Sequence, residues 1–246
     1  MDAKTVNAFF RQPSVVEHYA LAANNVGLWH SEEKIFTRLF AWDDSLLELG
    51  CGAGRIAIGL WEIGYRRITA MDYSKEMVAE ARRINEMFDY GIFFHHGDAT
   101  ALKYEDATYD GAIFGFNGLM QIPSRGERQL ALREIHRVLQ PGAWFAFTTH
   151  DRAAHWRREF WEEQKQLWEQ GKQHPKLKEF GDLYYDAPEG GMMFIHTPTR
   201  EEILEDLAQT GFRHEADALR QELANEPPAV RDFADECRFW VAQKQD

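Results

Sequence analysis

The chain has 246 residues, an ordinary apolar content for a globular protein and a net charge of −12. That length accommodates one α/β domain with an insertion, expected to run through residues 1–246. The acidic balance excludes a broad electrostatic grip on nucleic acid or anionic lipid, since both need a basic patch, and pairs such as Arg66-Arg67 and Arg82-Arg83 are isolated. No apolar run approaches the length of a membrane span, and the N-terminal residues do not read as a signal peptide. Cys51 and Cys237 form neither a disulfide framework nor a zinc spacing, so a cytoplasmic setting and no metal are expected.

Residues 1–40 predict helices. Val6, Phe9 and Phe10 have helical spacing, and Ser14 suits the cap of a second helix carrying Val15, Val16, Tyr19 and Ala20. Ser31 to Lys34 open a third, with Ile35, Leu39 and Phe40 on its apolar face. Residues 46–49 are a short apolar run that reads as a buried parallel strand. It turns through Gly50, Gly52 and Gly54 into a packed helix at 56–61. Strands follow at 67–71, 92–96 and 109–114, with a helix over 74–88 capped by Ser74. Residues 125–139 predict an amphipathic helix with Leu130, Ile135, Val138 and Leu139 inward, and Pro141-Gly142 turns the chain into a fifth strand at 143–149. This alternation implies a parallel sheet with helices on both faces.

Residues 150–198 break the rhythm. A helix is expected over 153–170, with Trp156, Phe160, Leu167 and Trp168 on one stripe, most of it helix core. Residues 172–191 read as irregular and carry Tyr184 and Tyr185. Thr199 opens another helix ending at Gly211. Strands at 212–219 and 238–242 follow, with Cys237 in the latter segment, and suggest an antiparallel edge.

Four signals occur in order. The first is the glycine turn preceded by an acid, Glu48-Leu49-Gly50-Cys51-Gly52-Ala53-Gly54; glycines let a ligand approach the backbone, and the following helix start presents free N–H groups. The second is Asp72, at the end of the second strand and about twenty residues on, where an acid can accept from ribose hydroxyls. The third is Gly97-Asp98-Ala99. The fourth is the exit of the fourth strand, Gly115-Phe116-Asn117. Read by themselves, Asp72 and Asp98 also suit helix or turn caps.

Glu48 to Gly54 resemble the first motif of the class I S-adenosylmethionine-dependent methyltransferases, and residues 133–143 resemble that family's passage into its fifth strand. The resemblance covers residues 46–149, and 199–243 more loosely. It implies a Rossmann-like, doubly wound, mostly parallel seven-stranded sheet with an antiparallel last strand, an N-terminal helical arm and a helical insertion after the fifth strand. The parts would be the arm at 1–45, a cofactor-binding core at 46–149, a lid-like insertion at 150–198, and a C-terminal helix and edge strands at 199–246. It also implies that S-adenosylmethionine, leaving as S-adenosylhomocysteine, is held by Tyr19, Glu48, Gly50, Cys51, Gly52, Gly54, Asp72, Tyr73, Asp98, Ala99, Phe116 and Asn117. Asp98 would accept from the adenine amine.

The expected activity is methyl transfer to an N, O, S or C nucleophile of a small molecule. Candidate bases are His150, Asp151 and His196, each with a structural alternative. Trp29, Tyr184, Tyr185 and His196 are the candidate substrate contacts; Tyr19 and Trp29 also suit a core role. A nucleic-acid substrate is not expected, because no proline pair follows the fourth strand, and the protein is expected to be a monomer or homodimer. The competing readings are an NAD(P)-dependent oxidoreductase and a non-catalytic S-adenosylmethionine-binding protein.

Overall fold

Leu46, Leu47, Glu48 and Leu49 form β1 (Leu46–Leu49), and all four are buried. A strand covered on both faces needs near-continuous apolar residues, so Glu48 is the exception that asks for a reason. In the computed structural model, which describes residues 1–245, β1 lies between parallel neighbours β2 (Ile68–Asp72) and β4 (Tyr109–Phe114). With β3 (Phe93–His96), β5 (Leu139–Thr149), β8 (Phe212–Leu219) and β9 (Arg238–Lys244) they make a seven-stranded sheet in the order β3-β2-β1-β4-β5-β9-β8. Only β9 runs against its neighbours. The connections reverse direction between β1 and β4, and open α/β sheets bind ligands outside the strand ends at such a point.

Alternation along β1 sorts the two cores. Leu47 and Leu49 join Phe145, Phe147 and Trp240 beneath α6 (Arg125–Val138) and α8 (Arg200–Gln209). Leu46 faces the other way, with Ala70, Ile113 and Ala146, under α4 (Arg55–Ile63) and α5 (Lys75–Met87). The arm is α1 (Ala3–Phe10), α2 (Pro13–Asn25) and α3 (His30–Leu39). The insertion holds α7 (Arg158–Glu169) and an antiparallel hairpin of β6 (Asp182–Asp186) and β7 (Met192–His196). Two short helices, α9 (Arg220–Leu223) and α10 (Pro228–Phe233), link β8 to β9. No helix among the described residues is long and apolar enough to cross a membrane.

Arg55 fastens the arm to the sheet. It stands first in α4, where a cation meets the positive end of the helix dipole. Its guanidinium makes two 2.6 Å bonds to the Glu32 carboxylate in α3, and Nη1 also donates to the Gly27 carbonyl at 2.8 Å. Both side chains are almost wholly buried. Glu32 in turn accepts from the Trp29 N–H, and the guanidinium lies 4.6 Å over the Trp29 ring. The start of α3 receives a second carboxylate: Glu226 accepts from the backbone N–H groups of His30 and Ser31.

Several local expectations change. Pro13 takes the first helical position of α2, where its missing N–H costs nothing, so Gln12 rather than Ser14 is the cap. Leu130 is exposed, because the buried face of α6 runs through Arg128, Ala131, Leu132, Ile135 and Val138. β5 starts at Leu139, and Pro141-Gly142 sits in a register shift inside it instead of before it. Cys237 lies just before β9.

The insertion departs furthest. A 3-10 turn at His155–Arg157 precedes α7 and changes its phase, so Trp161 is its buried ring while Trp156, Phe160 and Leu167 are exposed. Trp161 and Trp168 pack edge-on to Phe180. Tyr184 and Tyr185 are strand residues of the hairpin, paired with Phe194 and Met193, not part of an irregular loop.

Arg55→Met should lower unfolding stability by about 3–5 kcal/mol, because Glu32 is left as an unpaired buried charge. The double variant Arg55→Met/Glu32→Leu should recover part of that loss in urea titrations. His196→Ala should cost about 1.5–3 kcal/mol, because His196 Nδ1 bonds the buried Asp182 carboxylate at 2.9 Å. A shifted urea midpoint would show it.

Candidate active site

The glycine turn has φ +62° at Gly50, +53° at Gly52 and +95° at Gly54, a backbone region that side chains resist. The reasons differ by position. A Cβ on Gly50 would stand 2.7 Å from the Phe114 ring, and one on Gly54 2.9 Å from Phe94. At Gly52 the nearest atom would be the Tyr19 ring at 3.5 Å, an ordinary contact, so its open side is space, not packing.

That space is a cleft of about 480 Å³ at the strand ends around the switch point. Glu48, Gly50, Cys51 and Gly52 line it from the turn. Asp72 and Tyr73 come from the end of β2, Asp98 and Ala99 from the exit of β3, and Phe116 from the exit of β4. Tyr19 reaches in from α2. Ten of the twelve expected cofactor contacts therefore share one wall.

Gly54 and Asn117 do not line the cleft. Gly54 faces Phe94. Asn117 donates its backbone N–H to Thr148 Oγ1, and its side-chain amide lies 3.3 Å from His150 Nε2. Phe116 and Asn117 both have positive φ, at +48° and +60°. Two such residues in sequence mark stored strain where the ligand cleft opens.

Asp72 is both a cap and a cleft residue. Its Oδ2 accepts from Gly52 N–H at 2.9 Å and its Oδ1 from Ser74 N–H at 2.7 Å, which ties the turn to α5. Each oxygen keeps a further lone pair. Burial raises its pKa against those backbone bonds. Asp98 Oδ1 is used by Thr100, through both N–H and hydroxyl. Glu48 explains its place in β1 here: burial pushes its pKa up to about 8, against the pull of Arg55, and its Oε2 is buried without a partner.

Those features fit S-adenosylmethionine. The unpartnered Glu48 oxygen suits the ammonium of a methionine end, Asp72 the ribose, and Asp98 the adenine amine. The open side of Gly52 gives the ligand access to the backbone.

The remaining candidates lie elsewhere. His150 Nδ1 donates to the Glu236 carbonyl, so Nε2 accepts from the Asn117 amide; burial lowers its pKa and keeps it neutral. Asp151 is paired with Arg238. His196 is buried against Asp182, with Glu202 on its other side at 3.7 Å. Trp29 is fully buried between the Arg55 and Arg220 guanidinium groups. Tyr184 packs on His174 and under Lys176. Tyr185 does not line the cleft. Glu179, Asp182 and His196 bring ligand-type atoms within 4.8 Å of one another, yet Glu179 is held by Arg128 and the Arg125 N–H, and Asp182 by His196.

Sequence reasoning missed four cleft residues of consequence. Phe10 from α1, Phe233 from α10, Gln121 and Lys178 all line the cavity. Phe233 stacks on Phe116 at 5.0 Å, and Tyr19 meets Phe116 edge-on at 5.9 Å. Only Phe10, beside Phe9 in the helical pattern, carried a signal in the sequence.

Residues 46–142 match a family described as a methyltransferase domain. A demethylmenaquinone methyltransferase of Staphylococcus epidermidis is 34% identical over 98 residues, 39% of each chain. A 27-O-demethylrifamycin SV methyltransferase of Amycolatopsis mediterranei is 32% identical over 101 residues, 40% of this chain and 36% of the relative. The chain thus spans well under half the length of the curated relatives it matches. Among solved structures, a SAM-dependent methyltransferase of Methanosarcina mazei superposes with a TM-score of 0.69 at 23% identity, covering 86% of this chain and 97% of the other. The [4+2]-cyclase SpnF superposes at 0.67 with 19% identity, covering 99% and 96%. These structures share the fold. The glycine turn, the acid after β2 and the rest of the segment 46–142 that matches the methyltransferase-domain family thus meet on one cleft of a fold shared with S-adenosylmethionine-dependent methyltransferases.

Proposed function

We propose that this chain transfers the methyl group of S-adenosylmethionine to a nucleophilic atom of a small molecule. The observation that carries the reading is the set Glu48, Gly52, Asp72 and Asp98 around one cleft at the switch point, with Glu48 Oε2 left without a partner. Bound there, the cofactor would supply an electrophilic methyl group, displaced from sulfur by the acceptor's lone pair to leave the thioether, with the acceptor's proton passing to solvent. The chain's own work is placement. Glu48 and Asp98 would hold the two ends of the cofactor and Asp72 the ribose between them, and the rings of Tyr19 and Phe116 would exclude water beside it. His150 and Asp151 are engaged in hydrogen bonds and an ion pair, so the reading assigns no protein base.

Support for a small acceptor comes from the relatives, whose names specify a demethylmenaquinone and a demethylrifamycin, and from the net charge of −12, which disfavours nucleic acid. No feature of the cleft favours a nicotinamide cofactor or a non-catalytic role. A monomer or homodimer with a small-molecule partner completes the proposal.

Calorimetric titration with S-adenosylmethionine, S-adenosylhomocysteine and NADH, followed by a metabolite-pool screen for methyl transfer, tests it. Binding of NADH alone, or of no ligand, would end it. Asp72→Ala should weaken S-adenosylhomocysteine binding by about 1–3 kcal/mol, because ribose hydroxyls lose a charged acceptor and the turn loses its tie. Gly52→Val should abolish binding, since a branched side chain enters the ligand's space at positive φ.

Binding should also depend on pH. The free protein holds a proton on Glu48 below about pH 8, and a ligand ammonium favours the carboxylate, so binding releases that proton. Affinity for S-adenosylhomocysteine should therefore rise from pH 6 to pH 8 and then level. Glu48→Gln should flatten the profile, as read by titration in buffers of different ionisation enthalpy.

A further inference from the structure

Gln121 stands where the cleft leaves the cofactor motifs. It ends the 3-10 turn Gly118–Gln121 at the exit of β4, and its side chain lines the cavity. Its Oε1 is buried and has no hydrogen-bond partner. Native interiors pair such groups, so an unpaired one asks for an explanation.

Slackness of the loop does not supply it. Gly118 N–H donates to Gly115 O, Met120 N–H to Asn117 O and Ile122 N–H to Leu119 O. The Ile122 carbonyl accepts from Arg128, a buried residue whose guanidinium is also bound to Glu179 at 2.7 Å. The segment is bounded by two non-glycine residues at positive φ, Asn117 at +60° and Ser124 at +77°. A rigid, strained loop that presents an unsatisfied acceptor is arranged for a ligand.

The surroundings restrict that ligand. Phe10, Tyr19, Phe116 and Phe233 line the same cavity, so its body is apolar and flat enough to lie against rings. Oε1 is an acceptor and repels an anionic group set against it, and Lys178 in the same lining is offset by the carboxylates of Asp2 and Glu127.

We propose that Gln121 recognises the methyl acceptor, and that the acceptor is an uncharged molecule with a flat apolar body and a hydroxyl or neutral N–H that donates to Gln121 Oε1. This rests on the reading of the cleft as a methyltransferase site. It adds a specificity-determining residue outside the cofactor motifs.

The test uses the full chain, wild type and Gln121→Met, with three probes: a naphthalenediol, an aminonaphthalene and a naphthalenecarboxylate. The diol and the amine separate the two kinds of donor. At least one should bind wild type, and Gln121→Met should weaken that binding about tenfold or more while S-adenosylhomocysteine affinity stays within about twofold. Its thermal midpoint should be unchanged or raised, because an unpaired buried group has been removed. The inference is overturned by carboxylate binding as tight as the best donor probe, by no donor probe binding wild type, or by equal donor binding in the variant. It is also overturned by a parallel loss of S-adenosylhomocysteine binding, or by a lowered midpoint. If wild type fails to bind S-adenosylhomocysteine, the methyltransferase reading falls, and the probe titrations without cofactor still report on Gln121.

Discussion

The buried pair of Arg55 and Glu32 is the constraint on which the cleft depends. Arg55 begins the helix that follows the glycine turn, so whatever holds its guanidinium also fixes the direction in which the turn leaves the sheet. Its hydrogen-bond partners, Glu32 and the Gly27 carbonyl, belong to the arm, as does the Trp29 ring beneath it, while the Phe116 ring lies farther off at 5.8 Å. The arm is therefore one wall of the site and not an appendage to it. Taking two charges out of water is costly, and bidentate geometry with further hydrogen bonds is what offsets the cost. The same electrostatics reach the ligand space, because Arg55 pulls down the Glu48 pKa that burial raises.

Around this frame the cleft keeps two kinds of polar group. Asp72 and Asp98 already hold backbone N–H groups, so they organise the site before any ligand arrives. Glu48 Oε2 and Gln121 Oε1 hold nothing. Preorganised groups lose little on binding, and unsatisfied ones gain most from it. Strain at Phe116 and Asn117 lies between the two unsatisfied oxygens in sequence, at the exit of β4.

The succession of strands and helices and the motifs that line one wall of the cleft were legible because each rests on local pattern. The run 46–49, the turn glycines and the acids at strand ends are short signals tied to neighbouring backbone. Asp72 caps backbone N–H groups and lines the cleft at once, so a capping role does not take an acid out of the cavity. What escaped the sequence depends on distant partners. Glu32 looked like a helix-start acid, and only folding brings Arg55 to it. Trp29 and His196 looked like site residues because aromatic and imidazole groups are common in sites, yet buried charges claim both. The insertion was misread for a different reason: a single 3-10 turn rotates every residue of α7 relative to the expected stripe. Phe233 had no local mark at all, since it reaches the cleft from a short helix between β8 and β9.

The placement of β9 and of Glu226 sets an order of events during synthesis. β9 follows β8 in the chain, yet it lies inside the sheet between β5 and β8, so β8 has no sheet partner until β9 arrives. The start of α3 waits equally long, because the carboxylate that accepts from His30 lies 196 residues later. Until Glu226 has left the ribosome, those N–H groups lack their partner and the wall that carries Glu32 is incomplete. A chain whose synthesis has passed β5 but not Glu226 therefore lacks the partner of the α3 start, and the arm's side of the cleft is incomplete in it.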